Sequence, residues 1–338
     1  MCSPRANAAA GASPDFVALG GISLDWVVTA GGETSLRNCG GNATYTAVGA
    51  RIWTDHLAIV GRVGHDYPDA YLSDLSGAGI DICGIQRLPE AHELIYAVRF
   101  DAAGERHPIY PTQYFPEIGV TDPEALEDHV LYHAPWDCEA IRHFDITSEM
   151  VPRHFWNASG FHVARMHRET EFEVACELNR RSMFFSLDSD CANCSEYERR
   201  ELLRRTPAFL ASESDVKLVL DDPAPDLDTA LERLCAMGPD VVAIKRGEGG
   251  SVVFDARTGR RHHVPIFPTQ AKDPTGAGDS YCGGFLVGYL TTGDVFEAAL
   301  RGTVSSSFAV EEFDARYALR VSRAEAEARL DVLRKLAT

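Results

Sequence analysis

Short apolar runs alternate with amphipathic stretches along most of the chain. In "FVALGGISLDWVVTA", β-forming residues flank a Gly-Gly turn, which predicts a first strand at Phe16–Leu19 and a second that carries Asp25. "GGNATYTAVGARIW" sets small residues at helical spacing, and "LAIVGRVGHDYPDAYLSDLSGAGID" reads as a strand, a Gly-rich loop and a helix. From Ile82 to Tyr110 the texture changes. Alternating runs in "HELIYAVRFDAAGERHPIY" meet at Asp101–Gly104 as in a hairpin, predicting a small sheet that stands off the main domain. Beyond it, "FHVARM", "MFFSLDSD", "AFLASES" and "VVAIKRG" are short apolar strands ending in polar or Gly residues. Helical stretches such as "ETEFEVACELNRRS" and "DLDTALERLCAMG" separate them. Ser322 and Glu325 form a capping-box pattern ahead of a last helix. The alternation predicts an α/β fold with a mainly parallel sheet, helices on both faces, and ligands at the strands' carboxyl ends.

Composition narrows the partners. At 338 residues and 45% hydrophobic content, the chain can bury a full core as one large domain with an appendage, or as two modest ones. Acids outnumber bases 50 to 32, for a formal charge of −18, which disfavours DNA or RNA as a partner. Any anionic ligand must therefore be held by backbone amides and a few cations. The nine cysteines are odd in number and scattered, which fits a reducing cytoplasm. Residues 1–14 hold no apolar signal-like core and read as a disordered tail. No later stretch is long and apolar enough to span a membrane, so the expectation is a cytoplasmic protein with no membrane partner.

The candidate chemistry centres on "KDPTGAGDSYCGGFLVGYL". Gly276, Ala277 and Gly278 carry little or no side chain, so their N–H groups can approach an anion at the N-terminus of the helix they open. Asp279 then falls in the first turn, where it can take a proton from an attacking hydroxyl. Taken alone, an acid in a first turn is equally a helix cap.

These residues resemble the C-terminal signature of the ribokinase-like, or pfkB-type, family of carbohydrate and nucleoside kinases. Here it runs Asp273-Pro274-Thr275-Gly276-Ala277-Gly278-Asp279. "ALGGISLD" resembles the family's first strand with its substrate-binding Asp, here Asp25, and Gly40-Gly41 resemble the pair that grips sugar hydroxyls. "VVAIKRGEGGSVVF" resembles the strand and loop that meet the nucleotide, with Lys245, Gly247 and Gly250; "RGTVSSSFAV" resembles the helix beside the adenine, with Thr303. The resemblance implies a ribokinase-like three-layer sandwich over residues 15–338, with a β lid from about 24–38 and 84–112. It implies ATP-dependent phosphoryl transfer to a hydroxyl of a small sugar, with Asp279 as base and Gly276–Gly278 as anion hole. ATP and Mg²⁺ are the implied cofactors, a K⁺ site is implied near Asp273, Thr275 and Ala309, and the lid is a candidate homodimer surface.

The chain departs from the family pattern twice. The Gly-Gly motif usually reaches an Asn five residues after its first Gly, where this chain has Tyr45; Asn42 is the alternative amide. The family's Asn-x-x-Glu becomes "SESD", leaving Ser212 and Asp215, the latter a shorter carboxylate able to hold Mg²⁺ through water. Three readings follow: a sugar kinase, a nucleoside kinase, and a non-catalytic sugar- or nucleotide-binding regulatory paralogue; Trp26, Tyr45, Tyr96 and Tyr110 read first as packing residues, which a base-bearing substrate would also use. The intact "GAGD" speaks against the third. "DSDCAN", with Asp188 and Asp190, ends a strand at the ligand-facing edge, and Asp188 reads as a substrate or Mg²⁺ contact, or as a turn or cap. Cys191-x-x-Cys194 lacks a second pair at zinc spacing and reads as loop, and His262-His263 as a solvated edge. Walker-type and dinucleotide-binding glycine motifs are both missing.

Overall fold

The computed structural model describes residues 13–102, 104–120, 139–191 and 194–337, so almost all of the expected tail lies outside the described residues. In chain order the first half contains β1 (Phe16–Leu19), β2 (Ser23–Val28), β3 (Thr34–Gly40), α1 (Asn42–Arg51), β4 (Leu57–Val63), α2 (Asp69–Gly77), β5 (Ile80–Arg87), β6 (Ile95–Phe100), β7 (Arg106–Pro108) and α3 (Pro111–Glu117). Then come β8 (Gly160–Val163), α4 (Arg168–Arg180), β9 (Phe185–Leu187), α5 (Glu196–Leu203), β10 (Ala208–Ser212), α6 (Glu213–Val219), α7 (Leu227–Cys235) and β11 (Val241–Lys245). The chain closes with β12 (Ser251–Asp255), β13 (Arg260–Val264), α8 (Ala277–Thr292), α9 (Val295–Ala309) and α10 (Arg323–Leu336).

Nine strands form one sheet in the order β13-β12-β11-β10-β9-β8-β1-β4-β5. From β11 to β5 all neighbours are parallel, and β12 and β13 add an antiparallel ribbon at one end. Successive β1 side chains enter opposite cores: Phe16 and Ala18 join the one built with α1, α8, α9 and α10, while Val17 and Leu19 join the one built with α4–α7. Both faces of the sheet are therefore covered, which is the expected three-layer sandwich. Strand order runs outward from β1 through β4 to β5, then resumes on the other side at β8. The reversal between β1 and β8 is where open α/β sheets bind ligands.

Glycines let α8 lie between α1 and α9. A Cβ on Gly283 would fall 2.0 Å from Thr46 O, and one on Gly284 would fall 2.3 Å from Ser305 Oγ. Such close packing fixes where the Gly276 turn at the head of α8 stands.

A second sheet, β3-β2-β6-β7, matches the predicted appendage. β2 pairs antiparallel with β3 and parallel with β6, and β6–β7 is the hairpin read around Asp101–Gly104. One boundary needs correction. Gly84–Arg87 belong to β5, paired in parallel with Val60–Val63 of the large sheet, so this half of the small sheet starts at Ile95. β5 is an edge strand in which only Ile80 and Gly84 are buried, so its half-exposed sequence reads like that of an appended ribbon.

Candidate active site

α8 opens on a left-handed glycine turn. Gly276 is its N-cap, with φ 72° in the left-handed region that glycine tolerates, and the Tyr45 ring packs directly on it. A Cβ on Gly276 would sit 2.1 Å from Tyr45 Cγ. Of the three predicted anion-hole residues, Ala277 already donates its N–H to Pro274 O (3.2 Å), whereas Gly278 and Asp279 lie where helix geometry leaves N–H groups without an intrahelical acceptor. Burial pushes the Asp279 carboxyl from its usual 3.8 up to about 7, the charge of Asp188 adds to the rise, and Lys245, Arg165 and Arg106 pull against it. A carboxylate held near neutrality is suited to general-base work.

Behind this turn stands a wall of charge at the carboxyl ends of β8, β9 and β11. Lys245 Nζ donates to Asp188 Oδ2 at 2.5 Å and lies 3.4 Å from Cys282 Sγ. Burial opposes the Lys245 charge, but Asp188, Cys282 and Asp279 more than restore it, so its pKa rises overall. Arg165, just past β8, reaches Asp215 (2.8 Å), Asp190 (3.1 Å) and Asp188 (4.0 Å). Asp188 Oδ1 is buried without a hydrogen-bond partner among the described residues. Asp215 Oδ2 meanwhile accepts from Ser212 N–H (2.9 Å), closing a capping box on α6. "SESD" is thus a helix start, and both Asp215 oxygens face protein partners.

Asp25, the expected substrate-binding residue, is buried on β2 and accepts from Ser23 Oγ at 2.5 Å. Burial lifts its pKa to about 8; Ser23 counters this, and Asp273, Asp314 and Asp279 push it further. Gly40 leaves room for that carboxyl, since a Cβ there would overlap Asp25 Oδ2 at 2.0 Å. Gly41, at φ 99°, caps α1 against the backbone of Gly21–Ser23. Asn42 does something the sequence did not reveal. Its Oδ1 accepts from Gly21 N–H (2.9 Å) and its Nδ2 donates to Arg165 O (2.6 Å), bridging the β1/β8 reversal rather than offering its amide to an acceptor.

The expected nucleotide and cation residues divide. Gly247 is exposed with open space around it, but Gly250, at φ 75°, packs on Val264, where a Cβ would lie 2.1 Å from the carbonyl oxygen. Gly250 therefore has a structural task. Thr303 is buried on α9, and Ser306 of the same helix donates to Ala277 O at 2.6 Å, tying α9 to the head of α8. Thr275 Oγ1 is buried with no hydrogen-bond partner among the described residues, and Thr275 N–H donates to Asp273 Oδ1 at 2.9 Å. Ala309 ends α9 beside Val310 O, which accepts from Lys272 and Asp273 N–H. An orphaned hydroxyl beside a buried carboxyl and a helix C-terminus is a donor set that fits a monovalent cation.

Other candidates fall away. Burial pushes the Cys194 thiol up to about 11, His262 packs on Phe296, and His263 faces Asp228 at 3.6 Å. Trp26 is buried with its ring centroid 5.9 Å from that of Phe115, while Tyr110 is exposed. Two charged residues near the turn were not singled out: Arg165, whose only signal was an arginine just past a buried strand, and Arg106 on β7, whose charge lowers the Asp279 pKa from the small sheet.

The arrangement has relatives. Residues 27–321 match the pfkB family of carbohydrate kinases. A cytidine kinase of Thermococcus kodakarensis is 25% identical over 284 residues, 81% of this chain and 88% of that protein. An ATP-dependent ribose-1-phosphate kinase of Halopiger xanaduensis is 23% identical over 82% of this chain and 83% of its own. In fold, the nucleoside kinase of Methanocaldococcus jannaschii superposes with a TM-score of 0.67 at 19% identity, covering 95% of this chain and 100% of that one. A putative ribokinase II of E. coli, solved with ATP and Mg²⁺, gives 0.67 at 18% identity over 94% and 99%. Among the described residues no helix is long and apolar enough to cross a membrane. With the Gly276–Asp279 turn at the head of α8 and a family match over most of its length, this chain belongs to the pfkB family of carbohydrate kinases, phosphotransferases that act on hydroxyl groups.

Proposed function

We propose that this protein transfers the γ-phosphoryl group of ATP to a hydroxyl of a small sugar or sugar-like molecule. The observation that carries this reading is Asp279, a first-turn carboxyl raised to about 7 beside the amides of a left-handed glycine turn. Asp25, with Gly40 and Gly41 behind it, orients the acceptor. Asp279 takes the hydroxyl proton as the acceptor oxygen bonds to the γ-phosphorus and the bond to the β-phosphate oxygen breaks, releasing ADP. The Gly278 amide and the neighbouring Lys245 ammonium oppose the charge that develops on the transferred group.

The charge wall supports a role for Mg²⁺. Asp188, Asp190 and Asp215 outnumber Arg165 and Lys245 there, so a polyphosphate needs a divalent cation to approach. Asp188, whose Oδ1 accepts no hydrogen bond among the described residues and faces Arg165 at 4.0 Å, is the residue that would hold the hydrated ion, and Asp215 would act through Arg165. When bound, Mg²⁺ would neutralise phosphate charge. Thr275, Asp273 and the end of α9 would hold K⁺ and brace the anion hole.

The cytidine kinase relative, aligned over most of the chain, favours a second reading with a nucleoside acceptor. Both readings are tested by following ADP release with ATP, Mg²⁺ and a panel of sugars, sugar phosphates and nucleosides, with Asp279→Asn in parallel. The expected result is turnover on at least one sugar, lost in the variant. Turnover on nucleosides alone selects the second reading. No turnover on any acceptor, or full turnover in Asp279→Asn, overturns both.

A further inference from the structure

A second cluster lies at the opposite end of the sheet from the Asp279 cleft. Asp81 and Cys83 sit near the amino end of β5, the outermost strand, whereas the cleft lies at the strands' carboxyl ends. His154 comes from the 3-10 turn Arg153–Asn157. A carboxylate oxygen, the thiol sulfur and an imidazole nitrogen from these residues all lie within 4.8 Å of one another. Cys83 Sγ is 3.9 Å from His154 Nε2, which is 3.8 Å from Asp81 Oδ2.

Three local features build the cluster. In the β4–β5 pairing, Ala58 faces Asp81 and Val60 faces Gly84, so β5 carries one extra residue at this point. Such a bulge re-aims the side chains around it. Gly84 admits the neighbouring turn: a Cβ there would lie 3.1 Å from a ring carbon of Phe155, the residue that follows His154. With Phe155 seated against the strand, the imidazole is brought over Asp81 and Cys83. Finally, Asp81 Oδ1 accepts from Cys83 N–H at 2.9 Å, which leaves Oδ2 facing the imidazole.

The donor set selects among metals. Mg²⁺ and Ca²⁺ take six or more oxygen ligands, whereas a thiolate with an imidazole suits a borderline-soft ion of the zinc class. Bonds of about 2.3 Å to sulfur and about 2.0 Å to nitrogen put the sulfur–nitrogen edge of a tetrahedron at roughly 3.5 Å. The observed 3.9 Å is close to that span, so modest side-chain adjustment closes it. We propose that Asp81, Cys83 and His154 form a surface binding site for a zinc-class divalent ion, with water in the fourth position. Binding releases the thiol proton, so affinity falls as the pH is lowered. The site is independent of the kinase chemistry, and its test does not require turnover.

The test is titration of chelator-stripped full chain with Co²⁺, followed by near-ultraviolet sulfur-to-cobalt charge-transfer absorption and by back-displacement with Zn²⁺. One equivalent should generate the band and Zn²⁺ should abolish it. Cys83→Ser should lose the band while unfolding at the wild-type temperature, and His154→Ala should weaken Co²⁺ binding by at least about tenfold. A wild-type chain with no thiolate band at millimolar cobalt overturns the site. A band that persists in Cys83→Ser does the same.

Discussion

The Lys245 ammonium lies 2.5 Å from Asp188 Oδ2 and beneath the first turn of α8, where a Cβ on Gly278 would come within 3.5 Å of it. This pair links the ends of two strands to the turn that carries Asp279. Lys245 is also one of the cations that hold Asp279 down, so Lys245→Met should raise the Asp279 pKa. The acid limb of the kcat/KM profile should then move to higher pH, and activity at pH 7 should fall. The same change leaves the buried Asp188 carboxylate only Arg165, at 4.0 Å, as a charged partner, so the loss of stability should be at most about 3–5 kcal/mol, the cost of a fully stranded charge. A pH–rate series and urea melts measure both. An acid limb that does not move would separate Lys245 from the base.

Asp279 ties activity and stability together with opposite signs. Its folded pKa of about 7 stands above the ordinary 3.8, so the folded state keeps a proton that the unfolded chain releases. Stability is therefore lost as pH rises from about 4 to about 7. Asp279→Asn should melt higher than wild type at pH 8, with the difference shrinking towards pH 4. Turnover should fall by about 10²- to 10⁴-fold, the usual cost of losing a general base. Calorimetry at the two pH values, beside the ADP-release assay, checks both. A variant that loses turnover and also melts lower at pH 8 would contradict burial as the cause of the raised pKa.

Gly40→Ala addresses the acceptor side. Its methyl group would overlap the Asp25 carboxyl at 2.0 Å, and the buried β2–β3 pair leaves that side chain little room to retreat. The expected outcome is a raised KM for the acceptor, a smaller change in kcat, and a stability loss of about 1–3 kcal/mol from overpacking. Steady-state kinetics with the acceptor varied at saturating ATP makes the distinction. An unchanged KM would remove Asp25 from acceptor binding.

What could be read in the sequence was local. Strand–helix alternation, the hairpin at Asp101–Gly104 and the seven residues Asp273–Asp279 each declare themselves within a short window. Long-range pairing does not: Lys245 and Asp188 are 57 residues apart, and Arg165 gathers Asp188, Asp190 and Asp215 from two later strand ends. "SESD" misleads for a different reason. Ser212-x-x-Asp215 is the same capping pattern that is plain at Ser322-x-x-Glu325, but the expectation of a metal motif displaces the simpler reading. Tyr45 stands out as a departure from family pattern, yet its place against Gly276 depends on how α1 packs on α8, which no local window contains.

Asn42, picked for substrate contact, has both ends of its amide engaged by the protein. Its two bonds, to Gly21 N–H and Arg165 O, span the reversal of strand order, and Arg165 in turn orders Asp215, Asp190 and Asp188. Asn42→Ala strands a buried donor and a buried acceptor, each worth about 1–3 kcal/mol. The chain should therefore lose at least about 2 kcal/mol in urea unfolding, and the KM for ATP should rise as the Arg165 wall loosens. Asn42→Asp keeps the acceptor for Gly21 but loses the donor to Arg165, so it should fall between wild type and Asn42→Ala in both measurements. If Asn42→Ala instead raises only the KM of the phosphate acceptor and leaves stability unchanged, its amide serves the substrate after all.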